Sequence, residues 1–204
     1  MTKTRAKRGS TRTNMLISAA EVLRERGAAG VTIDAVLARS GAPRGSVYHH
    51  FPEGRNQILT EALQFAGEAI TEMIDEAAAN GGIFLVRQFV DFWEGLLVES
   101  DFAAGCPVVA AAIGATDEDP QLTTVAGSIF SHWRDALTRA FVSDGFDDSD
   151  AASLAIMCIA SLEGAVVLCR STRSVDPLLD VAAQIEFLIK SREFVQRYGV
   201  PERG

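Results

Sequence analysis

Cysteine is scarce: Cys106, Cys158 and Cys169 are an odd number with no C-x-x-C pair. That excludes a disulfide scaffold and a zinc knuckle and fits a reducing cytoplasm. No apolar stretch follows the basic N-terminus within a secretory signal's reach, so export is not expected. Sustained period-two alternation bounded by hairpin turns is missing, as are fixed-period repeats and low-complexity linkers. Catalytic signatures are missing too. There is no G-x-G-x-x-G after a strand, no P-loop, no H-E-x-x-H and no G-x-S-x-G, and "DGFDDSD" at 144–150 lacks the spacing and closing Glu of a calcium loop. Neither an enzyme nor a cofactor is expected.

A membrane span has only one approach, "AASLAIMCIASLEGAVVLC" at 151–169, with Glu163 inside it. A charge near the bilayer centre costs about 2.5–3.5 kcal/mol on insertion scales, and the stretch is rich in small residues. A helix buried against protein is the expected reading, with no membrane partner.

What is present is hydrophobic residue in quantity, 48% of 204 residues, enough for a substantial core in one or two domains. The net charge of −8 hides an asymmetry. Residues 1–50 hold nine Lys/Arg against three acids, whereas the remainder holds ten basic and 24 acidic residues. A basic head on an acidic body suits a chain of which only the head meets a polyanion, because phosphate neutralisation needs clustered cations. A solvated basic arm without a partner is the alternative.

The hydrophobic period is helical throughout. Helices are expected near 11–27, 33–40, 43–50, 54–79, 83–99, 104–115, 119–143, 148–171 and 176–197, an all-α, nine-helix architecture. Thr32 is a candidate N-cap with Asp34 complementing the macrodipole, Gly41 suits a tight turn, and Pro43 suits the first position of the third helix.

The stretch "GAPRGSVYHHF" at 41–51 admits three readings: a metal or catalytic His site, a structural turn, or a surface fitting a polyanion. His49 and His50 point about 100° apart on a helix with no nearby Cys or third His, which disfavours a metal site. Helix, Gly-containing turn, helix is the helix-turn-helix arrangement, whose second helix enters the major groove of double-stranded DNA. Arg44 stands at that helix's leading end, where an Arg pairs bidentately with guanine O6 and N7. Val47 and Phe51 would face inward. Tyr48 either faces the partner or packs on the fourth helix.

"TIDAVLARSGAPRGSVYHHFPEG" resembles the DNA-binding segment of the TetR family of bacterial one-component regulators. The resemblance covers about residues 11–58. "GCPVVAAAIGA" at 105–115 and "SLEGAVVLCRSTRSVDPLLDV" at 161–181 are similar to the ligand-domain motifs of the LmrA/YxaF branch. The resemblance implies phosphate contacts from Thr32, Tyr48, His49 and Arg55, base contacts from Arg44, and close backbone approach at Gly45 with Ser46 beside it. It also implies that Lys3, Arg5, Lys7 and Arg8 track the minor groove or the backbone. Pro43 stands where the family often has Ser or Thr, which removes one hydroxyl from that surface.

The expected division is a helix-turn-helix head at 1–52 and a helical ligand-binding and dimerisation body at 53–204. One head contacts few base pairs, so a two-fold homodimer on a palindromic operator is expected. Leu154, Cys158, Leu162 and Val166, with Leu178, Ala182, Ile185 and Ile189, form two helical stripes that suit a four-helix subunit interface of about 1,500 Å² or more. An intramolecular core is the alternative. Aromatic residues gather in the body, and Phe89, Trp93, Phe130 and Trp133 are the candidate lining of a site for a small hydrophobic effector, against the alternative of a plain core. The resemblance implies a repressor released from DNA by that effector. An all-helical ligand-binding or scaffolding protein whose head meets a protein partner is the reading from another class.

Overall fold

The computed structural model describes residues 8–116 and 119–199. Among them are nine α-helices, one 3-10 turn and no strand. In order these are α1 (Arg8–Gly30), α2 (Ile33–Ser40), the 3-10 turn (Arg44–Ser46), α3 (Val47–His50), α4 (Arg55–Ala78), α5 (Gly82–Glu99), α6 (Pro107–Gly114), α7 (Pro120–Ser143), α8 (Asp148–Thr172) and α9 (Asp176–Tyr198). The chain divides into two compact units: Met1–Ile70 with Gly105–Phe130, and Thr71–Ala104 with Ser131–Gly204.

Local chemistry accounts for most boundaries. The Thr32 hydroxyl accepts from the Ala35 N–H at 3.1 Å and starts α2, and Gly41 ends it in the left-handed region at φ 66°. Asp147 starts α8 by accepting from the Asp150 N–H at 2.8 Å. Pro43 differs from expectation: it stays extended at φ −64°, ψ 137°, outside the helix. The reason is that Ser46 donates both its backbone N–H (2.9 Å) and its hydroxyl (2.6 Å) to the Pro43 carbonyl, closing an i to i+3 turn before the α-helix begins.

In the first unit α1 packs on α2 and α6. Met15, Ala19, Val22 and Leu23 of α1, Val36 of α2, Val47, Phe51, and Ile58, Leu59 and Leu63 of α4 supply a buried core. In the second unit α5, α8 and α9 pack on one another around Leu85, Trp93, Leu97, Leu154, Leu162 and Ile189. By length and composition α8 is apolar enough to cross a membrane, and its apolar stripe is spent on these neighbours.

Candidate nucleic-acid interface

Val47 and Phe51 are both 0% exposed, as their four-residue spacing predicts, so the 3-10 turn and α3 are pinned by their inner face. The opposite face is open. Thr32, Arg44, Gly45, Tyr48 and His49 are all exposed, with Tyr48 at 63%, which removes the alternative in which Tyr48 packs on α4. The Thr32 oxygen accepts from the Ala35 N–H, a bond that does not use its own O–H proton. Gly45 has no positive φ, and a Cβ built on it would meet nothing within 4 Å, so neither backbone conformation nor packing inside the chain requires a glycine there. Gly54 is different: its φ of 69° is a left-handed turn joining α3 to α4.

Arg44 donates through NH1 to Asp34 Oδ1 at 2.9 Å, and both side chains are largely exposed, 78% and 73%. In the sequence Asp34 is legible only as a first-turn acid that complements the macrodipole of α2. The pairing joins positions ten residues apart through the turn, and periodicity within either helix does not report it.

Two expected contact residues are committed elsewhere. Ser46 spends its hydroxyl proton on Pro43, as described above. Arg55 donates from Nε to the Val31 carbonyl (2.8 Å), from NH2 to the Ala28 carbonyl (2.9 Å) and from NH1 to Asp119 Oδ1 (2.8 Å) and Asn56 Oδ1 (3.2 Å). Four of its five N–H groups are thereby used, which makes it a staple between α4, the α1–α2 turn and the start of α7. Other head cations are also neutralised within the chain: Arg12 pairs with Glu61 and lies 5.0 Å over the Phe51 ring, and Arg39 pairs with Glu25 at 2.9 Å. The basic surplus of the head therefore overstates its free positive surface. Lys7, with Lys3 and Arg5, lies outside the described residues, and Arg8 is described only as the first residue of α1.

The eight stripe residues of α8 and α9, Leu154, Cys158, Leu162, Val166, Leu178, Ala182, Ile185 and Ile189, are 0–8% exposed within a single chain, which matches the alternative of an intramolecular core for these side chains. Burial also pushes the Cys158 thiol up to about 12. Ile156, Val167 and Leu168 of α8 and Leu179 and Phe187 of α9 stay 42–68% exposed. Between the two helices runs a groove of about 340 Å³ whose lining includes Met157, Ser161, Asp180, Gln184, Ile185 and Leu188. Both helices carry apolar residues on more than one face, which is why a stripe found by spacing did not say which face was turned inward.

Of the expected effector-site residues, Phe89, Trp93 and Trp133 are buried in the second unit, while Phe130 is half-buried in the first. The Phe89 and Trp93 ring centroids are 5.9 Å apart, and Phe92 meets Trp93 edge-on at 5.2 Å. Trp133 donates its indole N–H to the Thr71 hydroxyl at 2.8 Å. Among the described residues nothing accepts from the buried Trp93 indole N–H, an unfavourable state for a donor. His132 is exposed and lies 3.0 Å from Asp75, and Cys106 is buried and in no disulfide. Among the described residues no three His, Cys, Asp or Glu converge as metal ligands.

Comparison with known proteins places these features in a family. Residues 16–62 match the model described as bacterial regulatory proteins, tetR family, and residues 83–184 match that of the transcriptional regulator LmrA/YxaF-like C-terminal domain. An uncharacterised HTH-type transcriptional regulator of Mycobacterium tuberculosis is 40% identical over 87% of this chain and 93% of its own. The uncharacterised HTH-type regulator YxaF of Bacillus subtilis is 25% identical over 91% and 98%. A crystal structure of regulatory protein TetR from Rhodobacter sphaeroides superposes with a TM-score of 0.76 at 20% identity, covering 86% of this chain and 96% of that one.

Proposed function

The chain belongs to the TetR family of bacterial transcriptional regulators, with an LmrA/YxaF-like C-terminal domain, and on that premise we propose that it is a cytoplasmic repressor released from DNA by a small hydrophobic effector. The observation that carries the DNA-facing half is the exposed set Thr32, Arg44, Tyr48 and His49 around a glycine the fold does not need, held in place by the buried Val47 and Phe51. In this reading the head at 1–52 meets DNA and 53–204 binds effector and partner subunit. Arg44 reads a guanine, while Thr32, Tyr48 and His49 meet phosphates. Arg55 supports that surface from behind.

A homodimer is the natural form, since one head spans a single half-site. The exposed apolar faces of α8 and α9, not the buried stripe, are its contact surface, and they support this because a surface so rich in apolar residues is costly to leave in water. For the effector, the aromatic group Phe89, Trp93 and Trp133 favours a flat apolar molecule. The unsatisfied Trp93 N–H favours one that carries a hydrogen-bond acceptor. Release requires only that the effector bind the free arrangement more tightly than the DNA-bound one.

Mobility shift of duplexes from upstream of its own and neighbouring genes, in rising salt, tests the reading. Expected is a discrete complex on at least one duplex that outlasts the complexes on random DNA as salt rises, and that a hydrophobic compound stabilising the free protein to heat dissolves. Equal affinity for every duplex would overturn it.

A further inference from the structure

Arg44 does not stand alone on the exposed face: its NH1 is held by Asp34 Oδ1 at 2.9 Å. One N–H of the guanidinium is used, which leaves four, enough for the two parallel bonds that guanine O6 and N7 accept. A carboxylate can therefore grip one corner of the fork while another edge addresses a base. An exposed arginine without such a grip samples many rotamers, and fixing it in advance lowers the entropy lost on contact. The backbone of Asp34 is itself fixed, because it sits in the first turn of α2, whose start is capped by Thr32 and whose inner face is anchored by the buried Val36. Its carboxylate is exposed beside Arg44, so a polyanion that meets Arg44 meets it too, and only a guanidinium in place offsets its repulsion from phosphate.

From this geometry we infer that Asp34 is a positioning residue for sequence reading: it orients the Arg44 guanidinium toward one guanine per half-site and thereby sets specificity at that position. The inference rests on the DNA-reading proposal above and goes beyond it by assigning to an acidic side chain a part of base discrimination. It also gives the 73% exposed Asp34 carboxylate a part beyond complementing the macrodipole of α2.

The test is selection from a library of random 24-base-pair duplexes, with sequencing of the bound fraction, for the full-length wild type, Arg44→Ala, Asp34→Asn and Asp34→Glu. Base preferences are ratios within one sample, so a variant that folds only in part still reports them. Wild type is expected to enrich a two-fold site with guanine favoured by roughly 10-fold or more at one position of each half, and Arg44→Ala to erase that preference. Asp34→Asn should cut the same preference by about fivefold while leaving other positions unchanged, and Asp34→Glu should restore part of it. If Asp34→Asn keeps the full guanine preference at the position Arg44→Ala erases, the inference falls while the DNA reading stands. If the wild type enriches no sequence, the DNA reading falls and the inference with it.

Discussion

Arg55 shows how one side chain takes a role that its position in the sequence does not announce. A cation at the start of α4 is an obvious candidate for phosphate, yet the two carbonyls at 2.8 and 2.9 Å and Asp119 at 2.8 Å claim it, and Asp119 is only 7% exposed. Hydrogen bonds to charged groups contribute roughly 1.5–3 kcal/mol, and a carboxylate left buried without its cation adds its own penalty. Arg55→Ala is expected to lower unfolding free energy by about 2–3 kcal/mol in urea titration. Arg55→Lys should recover little, since one ammonium on a flexible stem does not span three acceptors. Unchanged stability in Arg55→Ala would remove the staple role. The staple was illegible in the sequence because Arg55 and Asp119 are 64 residues apart. The buried Val47 and Phe51 were legible, because residues four apart share one helix face, whereas spacing left the direction of Tyr48 open.

Between elements, the contact of α5 with α9 carries a pH signature. Arg87 forms a two-bond pair with Glu186, at 2.8 and 2.7 Å, and Lys190 adds a third contact at 3.0 Å. Hydrogen bonding to Arg87 first, then to Lys190, holds the Glu186 carboxyl at about 2, below its ordinary 4.5. A carboxyl lowered by folding stabilises the native state fully above its unfolded value and loses that contribution as pH falls toward its folded value. Wild type should therefore exceed Glu186→Gln in stability by a constant margin above about pH 5, and the margin should close between about pH 4.5 and 2. Urea unfolding at pH 7, 4 and 3 reads it; a margin that does not shrink contradicts the assignment. Helix boundaries at this scale were largely legible, since Thr32, Gly41 and Asp147 act on backbone groups within four residues. The third helix was not, because the Ser46–Pro43 closure competes with α-helix at its first turn.

For the whole molecule, the exposed apolar residues of α8 and α9 are where the proposed subunit contact is tested. Val167→Glu and Phe187→Glu place charges on side chains that are 52% and 68% exposed, so the fold tolerates them while a subunit contact does not. Sedimentation is expected to show native protein at twice the chain mass at micromolar concentration and both variants at one chain mass, a loss of about 2 kcal/mol or more of association free energy. Leu162→Glu, by contrast, should unfold the chain, because that residue is 3% exposed in the seam. A native monomer would sink the dimer reading. Local periodicity and capping chemistry were enough to specify an all-helical chain, and the dense eleven-residue motif marked a candidate segment for DNA, since each acts over a turn or two of backbone. Which apolar stripe of α8 and α9 is turned inward, which cations are spent on buried partners, and that Asp34 grips Arg44 were decided only by tertiary structure. These depend on which distant segments become neighbours, and spacing along the chain carries no record of that.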